Sequence, residues 1–364
     1  MKPPMLYFSN LEDPRIDRTK AHPLENILFI TIAAVICGAE SWNDIEAYGH
    51  AKENWLKKHL NLANGIPSHD TFNRFFSLVD TQKLENCFLE WVQDIAQITQ
   101  GEIVSIDGKS IRGSKKSASK HLVHMVSAWA NKNQLSLGQI KTEEKSNEIT
   151  AIPKLLNVLS LEGCTVTIDA MGCQKNIAKQ IIEKGANYVL AVKGNQKELK
   201  ENIEASTKIL EPFEEWEEID AGHGRVETRK CSIYKDLSLL RREWDWEGLQ
   251  ALVKLESIRY HKANGQEERE TRYYITSLQI GAGEIGSIIR NHWGIENQLH
   301  WALDVSFGED HSRKRDGHSA ENFSIINRIA LNILKNDHSK KRSIRGKRLD
   351  AGWDNGYLIR LLLN

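Results

Sequence analysis

Between Gly101 and Gln196 the apolar residues change period, and this constrains the fold more than any other feature of the chain. "EIVSIDGK" is a short β-rich run reaching Asp107 and then Gly108. "HLVHMVSAWANKNQLSLGQIKT" divides at "NKNQ" into two further strands, and "NEITAIPKLLNVLSLEG" returns to helical spacing. "CTVTIDAMGCQ" is β-rich again and ends at Asp169, "KNIAKQIIEKGA" is helical, and "NYVLAVKGNQ" is one more strand. Strands and helices in this order predict an α/β fold whose mixed sheet has parallel crossovers and flanking helices.

The flanking regions have a different character. Residues 1–99 read as a helical domain, with Ser41 placed as an N-cap and Pro67 and Ser68 as helix-starters. A helix there displays Thr71, Asn73 and Arg74, so the domain is either a DNA-binding helix-turn-helix or a plain packing unit. After the core's first part (100–196) comes a β-rich insertion (197–281), expected to hold three strands and a turn at "KANGQ". The core resumes over 282–338, and 339–364 is a basic tail that either tethers DNA or is a disordered end. Five cysteines without a CxxC pair, and an N-terminus without a signal-peptide core, predict a reducing cytoplasmic setting. "ILFITIAAVICGA" is too short to span a bilayer, so no membrane is expected. Formal net charge is zero, which weighs against nucleic acid only if the charges are evenly mixed. They are not: "KNDHSKKRSIRGKRL" carries seven Lys or Arg against one Asp, while acids gather in "ILEPFEEWEEIDAG".

Asp107 and Asp169 each close an apolar β run, "IVSID" and "VTID". In such sheets the C-terminal strand edge is where sites are built. Two carboxylates side by side repel unless cations lie between them, and an all-oxygen donor set suits Mg²⁺ or Mn²⁺. A third acid on a helix over that edge would complete a site for two ions, and Glu296 supplies it. Read as one helix, "RNHWGIENQLHWALDVSFGEDHS" puts His292, Glu296, His300 and Asp304 on one stripe, with Trp293, Asn297 and Trp301 beside it. The order strand, strand, helix is that of a ribonuclease-H-like site. Lys109, Arg112, Lys193 and Asn195 fall near the same edge, as phosphate contacts or as solvated side chains. Arg225, Glu227 and Arg229 share one strand face, as DNA contacts or as an ion-pair group, with Glu227 the rival third acid. A zinc site from His292, Glu296 and His300 lacks the usual spacing.

"SIDGKSIRGS", "TIDAMGCQKNIAKQI", "YVLAVKGNQ", "HGRVETR" and "HWGIENQLHWALDVSFGEDHSR" together resemble the bacterial insertion-sequence transposases of the H-repeat-associated (ISAs) group, which are DDE enzymes. The resemblance runs over nearly the whole chain. It implies a ribonuclease-H-like core with Asp107, Asp169 and Glu296 as the metal-binding catalytic triad. It further implies two Mg²⁺ or Mn²⁺ ions, 3′-end cleavage and strand transfer, and double-stranded DNA (element ends and target) as substrate. A homodimer on DNA follows from the need to bring two ends together. Related transposases carry a Tyr, Arg, Glu, Lys signature around the last acid; here those other positions hold Ile289, His292 and Leu303, which leaves Arg290 and His300 as candidates for phosphate contact. Alternatives are a nuclease of the same fold without strand transfer and an inactive DNA-binding remnant.

Overall fold

A computed structural model describes residues 2–96, 100–114, 122–143, 147–222, 224–240 and 245–363. The chain opens with helices α1 (Leu24–Ile36), α2 (Trp42–Ala51), α3 (Glu53–Leu56), α4 (His69–Leu78) and α5 (Thr81–Ile95). Strands β1 (Ile103–Ile111), β2 (Val123–Ala130) and β3 (Leu135–Lys141) follow, then α6 (Glu148–Val158), β4 (Thr165–Ile168), α7 (Lys175–Glu183) and β5 (Asn187–Val192). Next come α8 (Lys197–Ile209), β6 (Glu214–Gly222), β7 (Arg225–Tyr234), β8 (Ala251–His261) and β9 (Gln266–Thr276). Helices α9 (Ala282–His292), α10 (Trp301–Phe307), α11 (Ser319–Asn336), α12 (Ile344–Trp353) and α13 (Asn355–Leu363) complete it. Strand β1 is shared between two compact units: up to Asp107 it belongs to a strand unit (98–107 and 146–295), and from Gly108 to a helical unit (1–97, 108–145 and 296–364). Among the described residues the order in the strand unit is β1-β4-β5-β9-β8-β7-β6, and in the helical unit β2 pairs antiparallel with β3.

In the strand unit, β1, β4 and β5 are parallel, in register from Ile103↔Thr165 and Thr165↔Asn187. β9 pairs antiparallel with β5, and β8, β7 and β6 continue outward as a meander. The insertion therefore extends the sheet of the core. It holds four strands, one more than expected: β6 lies in the acid-rich stretch whose charges hide its alternation. Only Trp216 and Ile219 interrupt its polar run with large apolar groups, and Trp216 packs on α9 where Gly283 and Gly286 leave room; a Cβ at Gly286 would lie 3.2 Å from the ring. Helix α9 buries Ala282, Ile285 and Ile289 against Val189, Cys231, Val253 and Tyr274.

The helical unit is built on α1 and α11, which pack together. Both are apolar around most of their circumference, as central helices are: Asn26–Ile36 of α1 and Glu321–Leu334 of α11 are all buried. The polar residues of α11 satisfy backbone groups of its neighbours. Asn322 donates to the Phe76 and Val79 carbonyls, and Asn332 exchanges hydrogen bonds with the Ser136 backbone. The chain leaves this unit after residue 97, close to the expected bound of 99, but the N-terminal helices share the unit with β2, β3 and the C-terminal helices. Ser41 and Ser68 cap α2 and α4 as expected. Of the three side chains suggested for display on α4, Asn73 is spent on Asp316 and Ser319, Thr71 touches its own cap, and Arg74 is exposed. The basic tail is folded: its residues form α12 and α13, Lys347 and Arg348 are buried, and Lys340 and Arg342 share Asp350.

Candidate active site

In the strand unit the β1–β4 ladder ends at the pair Ile106↔Ile168. Carrying this register one residue further sets Asp107 beside Asp169, on strands about 5 Å apart. The expectation that Asp107 ends its strand is corrected, since β1 runs on to Ile111; only its pairing with β4 stops there. Asp169 leaves β4 and caps a single 3₁₀ turn, accepting from the Met171 N–H at 3.0 Å. Burial, and then the charge of Glu148, raise its pKa, with Lys193 pulling the other way.

Ser105 and Thr167 lie two residues before these acids, and alternation puts all four on one face. Both hydroxyls are buried, and Thr167 donates to Ser105 at 3.1 Å. His292, at the end of α9, closes on the same face with Nδ1 2.9 Å from Thr167 Oγ1. Because that hydroxyl already donates to Ser105, the imidazole is the donor here. Burial, and then Lys193, push its pKa down to about 4, so it is neutral at physiological pH. Sequence reasoning missed Ser105 and Thr167; the signal was a small hydroxyl residue two places ahead of each acid.

Other candidates in this unit divide. Lys193 is exposed, while Asn195 donates to the Ala170 carbonyl and so ties the turn after β5 to the turn after Asp169. Trp293 is 44% exposed, its ring 5.7 Å from the Arg272 guanidinium. Arg290, considered for phosphate contact, instead donates to Glu218 at 3.0 Å and Asp220 at 3.1 Å. Glu227 is buried among Arg229 (2.6 Å), Arg259 (3.1 Å) and Arg225 (3.8 Å), so these residues form an ion-pair group and Glu227 is already committed.

The long helix expected around Glu296 is interrupted. α9 ends at His292, Trp293 turns, Ile295–His300 is a π-helical turn, and α10 begins at Trp301. Bonds of the i→i+5 type insert an extra residue, so the four-residue stripe does not survive as a stripe; such π turns often occur at functional sites. Glu296 and Asn297 are exposed, and Trp301 is 59% exposed. His300 is buried in the helical unit, where burial, and then Arg328 and Lys109, push it down to about 3. It is neutral and enclosed, hence no phosphate ligand.

Lys109 is also internal. It bonds Asp304 and Glu309, the latter at 2.8 Å, with Asp310 at 3.8 Å. Glu309 accepts in addition from Ser324 at 2.8 Å and from Arg328 at 3.2 Å, and Arg328 donates onward to Ser127 at 3.0 Å. Burial alone would raise Glu309, but Arg328 and Lys109 outweigh it and bring it to about 2. Glu309 and Arg328 were not singled out from sequence, although a lone Arg inside "SIINRIALNIL" demands a carboxylate. Arg112, by contrast, is 81% exposed and only skirts Asp310 at 3.4 Å. Among the described residues no three His, Cys, Asp or Glu side chains are gathered to hold a metal ion. No helix among them is long and apolar enough to cross a membrane.

Comparison with known proteins adds the following. Residues 98–333 match a family model described as "Transposase DDE domain", and residues 5–92 one described as "DDE_Tnp_1-associated". YncI of Escherichia coli O157:H7, named as a candidate transposase, is 43% identical over 98% of this chain and 93% of its own. YhhI of Escherichia coli K12, named as a candidate H-repeat-associated transposase, is 40% identical over 100% of this chain and 98% of its own. A short Escherichia coli K12 protein named as an inactive transposase, YbfQ, is 43% identical over 21% of this chain and 92% of its own.

Proposed function

Given that this chain belongs to the insertion-sequence DDE transposases of the H-repeat-associated group, we propose that it cleaves the 3′ ends of its element in double-stranded DNA and joins them to target DNA, on a ribonuclease-H-like core. The observation that supports this reading is that the parallel β1–β4 ladder ends at Ile106↔Ile168, one residue before Asp107 and Asp169. Glu296, exposed on the π turn, is assigned as the third acid.

The donors are hard oxygens, which suit Mg²⁺ or Mn²⁺. Asp169 is already harder to ionise than an ordinary carboxyl because of burial and Glu148, the condition a bound cation relieves. Asp107, Asp169 and Glu296 would hold two such ions. When bound, the ions supply Lewis acidity to the scissile phosphate and acidify the attacking hydroxyl. The chain's own residues do the rest. His292, neutral and donating to Thr167, braces the face under both acids without adding a competing positive charge. Asn195 holds the Asp169 turn, and exposed Lys193, with exposed Arg112 beside Asp310, would meet DNA phosphates. Joining two ends at once calls for a homodimer on DNA.

The test is nicking and joining of a labelled duplex carrying the element's own ends, with Mg²⁺, Mn²⁺ or EDTA, for the native chain and Glu296→Gln. Metal-dependent 3′ cutting and joining that drop at least ~100-fold in the variant support the assignment, the scale on which a charge-stabilising group acts. Cutting without joining identifies a nuclease. End-specific binding with no cleavage identifies a DNA-binding remnant, and undiminished activity in Glu296→Gln moves the third acid elsewhere.

A further inference from the structure

In the helical unit a cavity of about 700 Å³ opens between the β2–β3 turn, the end of α11 and the start of α12. Its titratable lining is Lys132, Lys335, His338, Arg342 and Lys347, and among the described residues no Asp or Glu lines it. Gathering like charges around a hollow costs free energy unless an anion occupies it.

The neighbouring acids are already committed. Asp350 accepts from Lys340 and Arg342, while Asp337 accepts from Tyr357 and Ser339 and lies 3.7 Å from Lys347. Lys347 forms the floor, donating to the Leu334 and Asp337 carbonyls. Lys335 is different: among the described residues it pairs with no carboxylate. Its ammonium has Gln134 Oε1 at 3.4 Å and the Trp129 ring at 5.4 Å. Burial, and then the nearby charge of Lys347, lower its pKa, so the cavity as it stands disfavours its own charge. The amides at the start of α12 add a positive potential on the same side.

We infer that this cavity seats backbone phosphate of duplex DNA, as an accessory contact separate from the three acids. The inference rests on the reading that the chain acts on DNA. A polyanion fits better than a single small anion because the cations extend beyond the hollow: His338 and Arg342 are exposed at its rim, and exposed Lys341 and Arg345 continue the run.

The experiment is fluorescence anisotropy with a labelled duplex of arbitrary sequence, over about 50–200 mM salt. It compares the native chain, the double variant Lys132→Gln/Lys335→Gln, and the control Lys57→Gln/Lys58→Gln, which removes two exposed charges of the same unit. Circular dichroism checks that each is folded, and thermal melts with inorganic phosphate run alongside. Losing two phosphate contacts lowers the salt slope by about 1.8, since each phosphate contributes ≈ 0.9. The expected result is this fall, with weaker binding at low salt, in the cavity variant alone. Native-like slope and affinity in the cavity variant overturn the inference, as does an equal loss in the control. A cavity variant that loses only phosphate-induced thermal stabilisation, with its duplex slope intact, also overturns it and makes the cavity a small-phosphate site. A native chain that binds no DNA at all defeats the function itself, an outcome distinct from native binding that the variant leaves untouched.

Discussion

Arg328 has 0% of its side chain exposed, and Glu309, its partner, has 2%. Two such charges are tolerable only together, so removing one leaves the other stranded. Glu309→Gln should cost about 3–5 kcal/mol, the range for breaking a buried pair from one side, read as a shifted denaturant midpoint at neutral pH. The same cluster predicts a response to acid. Glu309 titrates near 2 in the folded chain against about 4.3 when unfolded. Its stabilisation is therefore complete above the unfolded value and is lost as pH falls toward 2. His300 moves from 6.5 to about 3 on folding. Above 6.5 it is neutral in both states and contributes nothing; below that, only the unfolded chain takes up the proton, and stability falls as acid is added. Both groups act in the same direction, His300 first. His300→Gln should thus flatten the decline between about pH 6.5 and 4.5, while Glu309→Gln alters the profile only below that window. Urea melts over this range decide it: a His300→Gln profile as steep as the native one would refute the claim.

At the scale of elements, the π turn sets how Glu296 is presented. Deleting Asn297, which is exposed, would restore i→i+4 bonding and turn Glu296 by about 100° relative to α10. The expected outcome is a folded protein by circular dichroism that no longer nicks element ends; retained nicking would show that the turn is incidental. The sequence could not announce this turn, because Ile295, Leu299, Ala302 and Leu303 keep the apolar spacing of an ordinary amphipathic helix. Where period and burial agree, the elements were legible. "IVSID" and "VTID" up to its Asp are strands, "NKNQ" and "KANGQ" are turns, and Ser41 and Ser68 are caps. β6 was not, because an edge strand facing water on most of its length carries charges where a buried strand would alternate. Lys109 was misjudged for a related reason: a charge is written the same way in sequence whether it meets solvent or Glu309.

For the whole molecule, what the sequence could not convey is how segments far apart are interleaved. The helical unit takes residues from both ends of the chain and from β2 and β3. Read along the chain, the N-terminal helices and the basic C-terminal segment look like separate appendages. They become one body because α1, α11 and α12 are mutual neighbours. That arrangement has a consequence in time. α1 ends at Ile36 and α11 begins at Ser319, so 282 residues must be made after α1 before its chief partner emerges. At about 5–20 residues per second this is a wait of roughly 15–60 s. Throughout it, α1 can bury only the side that meets α2 and its near neighbours, and the side that will meet α11 and α12 stays uncovered.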